Sequence, residues 1–420
     1  MDKFVICGGK PLNGTVSISG AKNATLALMP AALLAGGTFH LRNTPALRDV
    51  NTMAALLRTM GVAAELKGHT LTLDTGGIKH FEAPYEHVKK MRASIYVLGP
   101  LLARYGQAKV SLPGGCAWGP RPVNLHMEAL RKLGAEIDLR EGYIYARANK
   151  LAGTRIHFDV SSVGATGNTM MAAVLARGTT LIENAAIEPE ITQLAEFLVS
   201  MGAMISGTGT NRIEIQGVDE LHAADVQTIP DRIEAGTFLV AAALCGGTVT
   251  LTNVLPDHLA AVTAKLQDAG AKLTFHADSI TISRTSRISP ADVTASIYPG
   301  FPTDMQAQWT ALMSVAEGTA VVTDSIYFDR FKHIPELIRL GADIEVKDNS
   351  AVVRGVKRLT GAKVMSTDLR ASASLILAGL VAEGTTEVLR VYHLDRGYEA
   401  IEKKLLTLGA DIERVAGEEF

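Results

Sequence analysis

The chain has 420 residues, 47% hydrophobic and 20% charged, with 41 Lys and Arg against 43 Asp and Glu and a formal net charge of −2. That balance leaves no basic excess to neutralise a nucleic-acid backbone. Mean hydropathy is +0.17, yet no apolar run approaches the roughly 20 residues a membrane span needs, so the apolar excess is expected inside a folded core.

The length suggests two or more domains. Met1-Asp2-Lys3-Phe4 is not followed by the apolar stretch of a signal peptide. Cys7, Cys116 and Cys245 are too few and too scattered for a disulfide framework. Both observations point to a cytoplasmic protein.

In chain order, six short segments are apolar or small on nearly every side: residues 23–35, 93–103, 168–176, 235–245, 306–316 and 371–382. A helix apolar all round belongs in the middle of a fold. Five of the six run into a glycine and then a threonine, at Gly37-Thr38, Gly178-Thr179, Gly247-Thr248, Gly318-Thr319 and Gly384-Thr385. Glycine is the expected helix stop, and β-branched strands follow, as in Thr248-Val249-Thr250-Leu251. A second, amphipathic helix comes after each strand and ends in its own glycine, at Gly61, Gly134, Gly202, Gly270, Gly341 and Gly409. The steps between these glycines are 73, 68, 68, 71 and 68 residues. That period predicts six copies of one α/β unit, each with two helices and about four strands. A strand also precedes the buried helix, for example at Leu12-Asn13-Gly14-Thr15-Val16 before Lys22. The six copies are expected to group as three and three, with a boundary near Ile229-Pro230 and a closable cleft between the lobes.

Charged and polar residues recur where a strand hands over to a buried helix. They are Lys22-Asn23, Met91-Arg92, the run from Ser161 through Ser162, Val163 and Gly164 to Gly167, Asp231-Arg232, Thr303-Asp304, and Asp368-Leu369-Arg370. Helix starts offer free N–H groups and a positive dipole end, which suits an anion such as a phosphate ester. Asp304 and Asp368 also fit plain N-caps. Between the second and third units lies Leu112-Pro113-Gly114-Gly115-Cys116-Ala117-Trp118-Gly119-Pro120-Arg121-Pro122, where neither helix nor regular strand can run. A thiol there, with Arg121 five residues on, has the setting of a reactive cysteine. Eleven histidines show no HExxH pattern, and no CxxC, P-loop or GxGxxG occurs. Gly8-Gly9-Lys10 reads as a lone turn, and His333 and His393 as structural.

At these residues the whole chain resembles the enolpyruvyl transferases. The motifs that carry the resemblance are Gly20-Ala21-Lys22-Asn23-Ala24, the cysteine loop, and Ser162-Val163-Gly164-Ala165-Thr166. Further on are Phe301-Pro302-Thr303-Asp304-Met305-Gln306, Thr367-Asp368-Leu369-Arg370-Ala371 and Asp395-Arg396-Gly397-Tyr398-Glu399. The resemblance implies a two-lobed inside-out α/β barrel with helices inside and sheets outside. It puts residues 22–229 in the first lobe, and residues 1–21 with 230–420 in the second. It implies transfer of the enolpyruvyl group of phosphoenolpyruvate to the 3′-hydroxyl of UDP-N-acetylglucosamine, with release of phosphate, as the first committed step of peptidoglycan synthesis.

Residue by residue, the resemblance matches Lys22, Arg121 and Arg396 to phosphoenolpyruvate contacts and Asp304 to the base for the attacking hydroxyl. Cys116 matches either the donor of a proton to C3 or a residue that helps product leave. The nucleotide sugar is matched to Asn23, Arg92, Arg121, Pro122, Val123, Asn124, Leu125, Ser161, Ser162, Val163, Gly164, Asp304 and Ile326. Arg330, Asp368 and Arg370 match positions close by. No metal or organic cofactor is implied, because phosphoenolpyruvate carries its own activated group. Alkylation of Cys116 by the epoxide fosfomycin is implied as well. Val160, where several relatives have Lys, and Asn124, where others have Asp, depart from the pattern, and Trp118 is bulky for a mobile loop. The alternatives are the sister activity on shikimate 3-phosphate, against which the cysteine loop argues, and a non-catalytic nucleotide-sugar-binding homologue. Oligomeric state does not follow from the sequence.

Overall fold

The structure, a computed structural model, describes residues 2–113, 123–284 and 286–416. The chain folds into two compact units and crosses from one to the other at Ser19/Gly20 and again at Ile229/Pro230. Each unit holds three of the six repeats.

In the unit formed by residues 20–229, the central helices are Lys22–Ala31, Leu98–Tyr105 and Val163–Ala173. In the other unit they are Arg232–Cys245, Gln306–Met313 and Leu369–Val381. From Ala24 to Ala31, Ala165 to Ala173, Ile233 to Leu244 and Leu369 to Leu380, every residue is buried. The helices of a unit pack on one another, directly or through the short 3-10 turns at their ends. Each unit has its own continuous hydrophobic core.

Each repeat covers its central helix with a four-stranded sheet. In the third repeat, Arg155–His157 lies parallel to Thr179–Glu183, which pairs antiparallel with Arg212–Gln216, which in turn pairs with Met204–Ser206. The strands alternate buried and exposed residues, as a sheet with one wet face must. The glycines that end the amphipathic helices explain the period. Gly61, Gly134, Gly202, Gly270, Gly341 and Gly409 all have φ between 92° and 106°, a conformation glycine adopts without the Cβ penalty.

Three features are not given by the local repeat pattern. Strand Leu12–Ser17 precedes the first central helix in sequence, but pairs in parallel with Gly247–Thr252 of the fourth repeat. The first repeat instead receives Val226–Gln227, from the end of its own unit, beside Thr38–Arg42. In the sixth repeat, Asp2–Cys7 sits between Thr385–Leu389 and Asp411–Ala416. Local pattern predicts a strand but not its partner, and here the partners are hundreds of residues away. Secondly, the third central helix begins at Val163, five residues before the apolar segment, so Gly164 and Gly167 are helical. Packing explains both glycines. A Cβ at Gly164 would stand 3.1 Å from the His126 ring, and one at Gly167 would stand 2.9 Å from the Tyr96 ring. Thirdly, the second segment starts as a 3-10 helix, Arg92–Val97, before Leu98–Tyr105.

Two glycine substitutions separate backbone strain from crowding. Gly134 has φ 95° and open space where a Cβ would go, so Gly134→Ala is expected to cost about 1–2 kcal/mol, the ordinary penalty of that conformation. A Cβ at Gly99 would lie 2.3 Å from the Asn168 carbonyl oxygen and 2.4 Å from its side-chain oxygen. Gly99→Ala is expected to cost about 3 kcal/mol or more, because fixed atoms must move. Chemical denaturation of the two variants would check the order. Equal losses would mean that the Gly99 contact is soft.

Candidate active site

In the unit of residues 230–416, the starts of two central helices meet at Asp304. The 3-10 turn Thr303–Met305 leads into helix Gln306–Met313 and presents this carboxylate. One Asp304 oxygen accepts from Arg330 Nη2 at 2.8 Å, and the other accepts from Arg370 Nη2 at 2.7 Å. The two arginine side chains are only 7% and 5% exposed, whereas that of Asp304 is 27% exposed. The carboxylate thus keeps an open edge while its cations are held inside. Burial alone would raise the Asp304 pKa, but Arg370 and then Arg330 outweigh it and hold the carboxyl well below its ordinary value. Burial likewise opposes the Arg370 charge, and Asp304 reverses that effect, so the guanidinium is held charged. Asp304 is therefore not a helix cap, and that part of the sequence reading is corrected. A cap side chain must accept from the first N–H groups, and this one is spent on two cations.

Asp368 does cap its helix. One oxygen accepts from the N–H of Arg370 and of Ala371 at 2.9 and 3.1 Å, and Thr367 Oγ1 donates to the other. Asp231 caps helix Arg232–Cys245 in the same way, through Ile233 and Glu234. Ser162 caps helix Val163–Ala173 through Ala165 at 3.3 Å. The six helix starts are thus not six equivalent anion sites, since three of them satisfy their own N–H groups.

A polar network lies behind Arg370. Its guanidinium stands 5.5 Å from the Tyr398 ring centre. The Tyr398 hydroxyl is 2.8 Å from Thr237 Oγ1 and accepts from Gln308 Nε2 at 3.1 Å. Gln308 also donates to the Asp304 carbonyl oxygen at 3.0 Å. Ile326 and Arg330 lie in the segment after strand Thr319–Asp324, and Arg396 ends the 3-10 helix Val391–Arg396. Burial, and then Arg330, push His333 down to about 3, so it is a neutral core histidine. His393 stacks beside Tyr392, their ring centres 4.2 Å apart.

In the unit of residues 20–229, Lys22 opens its helix, and its ammonium is 2.9 Å from an Asp49 oxygen, with both side chains nearly buried. Asn23 follows it on the first turn. Arg92 opens the 3-10 helix that packs against both Lys22–Ala31 and Val163–Ala173. The Tyr96 hydroxyl donates to the Val163 carbonyl at 3.4 Å. Helix Asn124–Lys132, which carries Asn124 and Leu125, packs on Val163–Ala173, with Val123 just before it. His126, in that helix, is 3.0 Å from Asn168 Nδ2, and burial together with Arg92 lowers it to about 4, so a neutral ring accepts there. Lys22, Arg92, Val123–Leu125 and Ser161–Gly164 thus belong to neighbouring elements of one unit. The departure at Val160 is 65% exposed, and Asn124 Nδ2 donates to Glu128 at 3.4 Å. Cys116, Trp118, Arg121 and Pro122 lie outside the described residues. Among the described residues, no cluster of His, Cys, Asp and Glu could hold a metal ion, and no helix is long and apolar enough to cross a membrane.

Sequence reasoning did not pair Asp49 with Lys22, nor Tyr398, Gln308 and Thr237 with one another. Asp49 stands in the first turn of an amphipathic helix, where an acidic residue is ordinary dipole chemistry. Nothing local tied it to Lys22.

Residues 6–405 match the family described as EPSP synthase (3-phosphoshikimate 1-carboxyvinyltransferase). The solved enolpyruvyl transferase NikO from Streptomyces tendae superposes with a TM-score of 0.90 at 27% identity, over 99% of both chains. EPSP synthase from Acinetobacter baumannii, at 21% identity and a TM-score of 0.77, shares the fold over 99% of this chain and 100% of its own. The chain belongs to the EPSP synthase family, the enolpyruvyl transferases. Within it, the chain is 60% identical to the UDP-N-acetylglucosamine 1-carboxyvinyltransferase of Chloroherpeton thalassium, over 100% of this chain and 99% of that one. It is 58% identical to the enzyme of the same name from Chlorobium limicola, over the full length of both.

The Asp304 pairings predict a stability effect with a defined pH range. Asp304→Asn leaves two buried guanidiniums without their anion and is expected to cost roughly 3 kcal/mol at neutral pH. The folded pKa lies below the ordinary 3.8, so this contribution is complete above that value and is lost only as pH falls through the depressed one. Denaturation midpoints of wild type and variant should stay equally far apart from pH 8 to about 4.5 and converge only in stronger acid. Convergence already at pH 6 would rule out the twin ion pair.

Proposed function

We propose that this protein transfers the enolpyruvyl group of phosphoenolpyruvate to the 3′-hydroxyl of UDP-N-acetylglucosamine, releasing phosphate, in the cytoplasm as the first committed step of peptidoglycan synthesis. The observation that carries this reading is the end-to-end identity of 56–60% with relatives that bear the name of that activity. The sister reaction on shikimate 3-phosphate is disfavoured by the same observation, because the solved EPSP synthase stands at 21% identity.

The reaction is an addition followed by an elimination. In the first step the sugar hydroxyl oxygen bonds to C2 of phosphoenolpyruvate, its proton goes to a base, and C3 gains a proton to become a methyl group. In the second step C3 loses a proton and the C2–O bond to phosphate breaks. The carboxylate and phosphate of phosphoenolpyruvate call for fixed cations, and Lys22, Arg121 and Arg396 fill that role in this reading. Asp304 is the base and Cys116 the donor to C3. A donor to carbon must be the thiol and not the thiolate, and that is the state this role requires of Cys116.

Asp304 poses a difficulty that the substrate itself can remove. A carboxylate held by two guanidiniums stays ionised but takes up a proton poorly. Anionic groups of the substrate arriving near Arg370 and Arg330 would offset those cations and raise the proton affinity of Asp304 when it is needed. Asn23, Arg92, Arg121, Pro122, Val123, Asn124, Leu125, Ser161–Gly164, Asp304 and Ile326 are assigned to the nucleotide sugar. Asp368 acts through the helix start that carries Arg370.

Phosphate release from phosphoenolpyruvate is expected with UDP-N-acetylglucosamine and not with shikimate 3-phosphate, and the opposite preference would overturn the reading. Cys116→Ser is expected to lose about a hundredfold or more of turnover while still binding the nucleotide sugar, as read by turnover and by calorimetry. Intact mass after fosfomycin should show one adduct, mapping to Cys116 and forming faster with the sugar present.

A further inference from the structure

Asp324 is a buried carboxylate to which neither the sequence motifs nor the proposed mechanism gives a role. It closes strand Thr319–Asp324 and is 0% exposed. Its backbone is pinned on both sides, since its N–H donates to the Asn349 carbonyl at 2.9 Å and its own carbonyl accepts from Asn349 Nδ2 at 3.2 Å. Its side chain faces two ways. One oxygen accepts from the backbone N–H groups of Ile326 and Tyr327, both at 2.9 Å. The other accepts from Thr303 Oγ1 at 2.6 Å.

The Thr303 hydroxyl has one proton, and Asp324 takes it. A lone pair of the same oxygen accepts from Arg330 Nη1 at 2.8 Å. Arg330 uses its other terminal nitrogen on Asp304. A single chain of hydrogen bonds therefore runs Asp324–Thr303–Arg330–Asp304, and every donor direction in it is fixed. With Arg370 included, the group holds two carboxylates and two guanidiniums and is electrically neutral. Charge balance and direction together distinguish it from a chance cluster of surface groups.

We propose that Asp324 and Thr303 are positioning residues that lock Arg330 against Asp304 and, from the same carboxylate, set the backbone that carries Ile326. The inference rests on the function proposed above, in which Asp304 is the base and Ile326 touches the sugar. It goes beyond that reading by tying the two to one buried group. Without the Thr303 hydroxyl, the Arg330 Nη1 end of the fork loses this acceptor and Asp324 loses its hydroxyl donor. Arg330 can then rotate on Asp304, and the base no longer points in one direction. Without the Asp324 charge, the Ile326 segment loses its anchor too.

The test compares Thr303→Val, Thr303→Ser, Asp324→Asn and the double variant Thr303→Val/Asp324→Asn in the phosphate-release assay, with thermal midpoints and near-UV circular dichroism as controls for folding. Thr303→Val keeps shape and volume. It is expected to lower kcat about tenfold or more, the effect of losing hydrogen bonds to charged groups, with KM for UDP-N-acetylglucosamine changed less than about threefold. Thr303→Ser restores the oxygen and should stay within about threefold of wild type in kcat. Asp324→Asn should lower kcat and also raise KM for the nucleotide sugar, because it disturbs both arms. The double variant should be little worse than Asp324→Asn alone, since both act through one chain.

The proposal is overturned if Thr303→Val turns over like wild type, if Thr303→Ser is as impaired as Thr303→Val, or if the two losses multiply independently. If Asp324→Asn does not fold, the Val and Ser pair at position 303 decides the matter alone. An inactive wild type would instead sink the functional reading and the catalytic half of this proposal with it. An active wild type with an indifferent Thr303→Val sinks only the proposal.

Discussion

Everything in this fold follows from helices that have no polar face. A helix buried from Ile233 to Leu244 or from Leu369 to Leu380 has no side to give to water, so other elements must cover it all round. Three such helices shield one another only in part, and the sheets do the rest, each with one apolar face turned inward. Closing that arrangement leaves the first repeat of each unit short of a strand, and the last repeat of one unit as well. The chain solves this with segments far away in sequence, Asp2–Cys7 and Leu12–Ser17 in one unit and Val226–Gln227 in the other. Strand pairing thus ties the residues just before each crossing of the chain to the unit whose sheet they complete. Beside the first crossing, Lys404 Nζ donates to Glu234 and to Ser19 Oγ, and the Ser19 N–H donates to Glu234.

Apolar helices packed this closely leave polar groups little choice, and those present are tied to one another. Asn168 accepts from the Gly99 N–H at 2.6 Å and donates to the Ile95 carbonyl and to His126, joining three elements through one amide. In the other unit, Gln308, Thr237 and Tyr398 do the same. Such groups stabilise little in net terms, but each is costly to orphan, so they select one packing register over its neighbours. The consequence for chemistry is positional. The helix starts that carry Asp304 and Arg370 are held in one place because the helices behind them cannot slide.

How much of this the sequence reveals depends on whether the signal is local. The six units are legible because each leaves two local marks, an apolar segment and a glycine at positive φ such as Gly202 or Gly341. The residues at the helix starts are legible as a set for the same reason. Partners are not. Lys22 and Asp49 are 27 positions apart, Asp304 and Arg370 are 66 apart, and no spacing rule links either pair. The start of the third helix is misread because Gly164 and Gly167 resemble a turn, and only the rings of His126 and Tyr96 show why glycine must be helical there. Asp304 also fits a cap on local pattern, because Asp before a helix usually is one, as Asp231 and Asp368 show.

The same comparison explains why Asp304 is the exception. At Asp231 and Asp368 one carboxylate oxygen turns back on its own helix and accepts from two N–H groups, which fixes the side chain at that helix start. At Asp304 the helix enters through a 3-10 turn, which carries the side chain away from its own N–H groups and toward Arg330 and Arg370. Those two cations do what the cap would have done in electrostatic terms, but they leave an edge of the carboxylate exposed. Guanidiniums can also respond to a second anion in a way that backbone N–H groups inside a helix cannot, because their charge is shared among whatever oxygens come within reach. A carboxylate that caps its helix is bonded to N–H groups that stay in place whatever binds nearby. A carboxylate held by shareable cations has a proton affinity that depends on what else those cations touch, and that is the property a base needs if it is to act only when an anionic substrate is present.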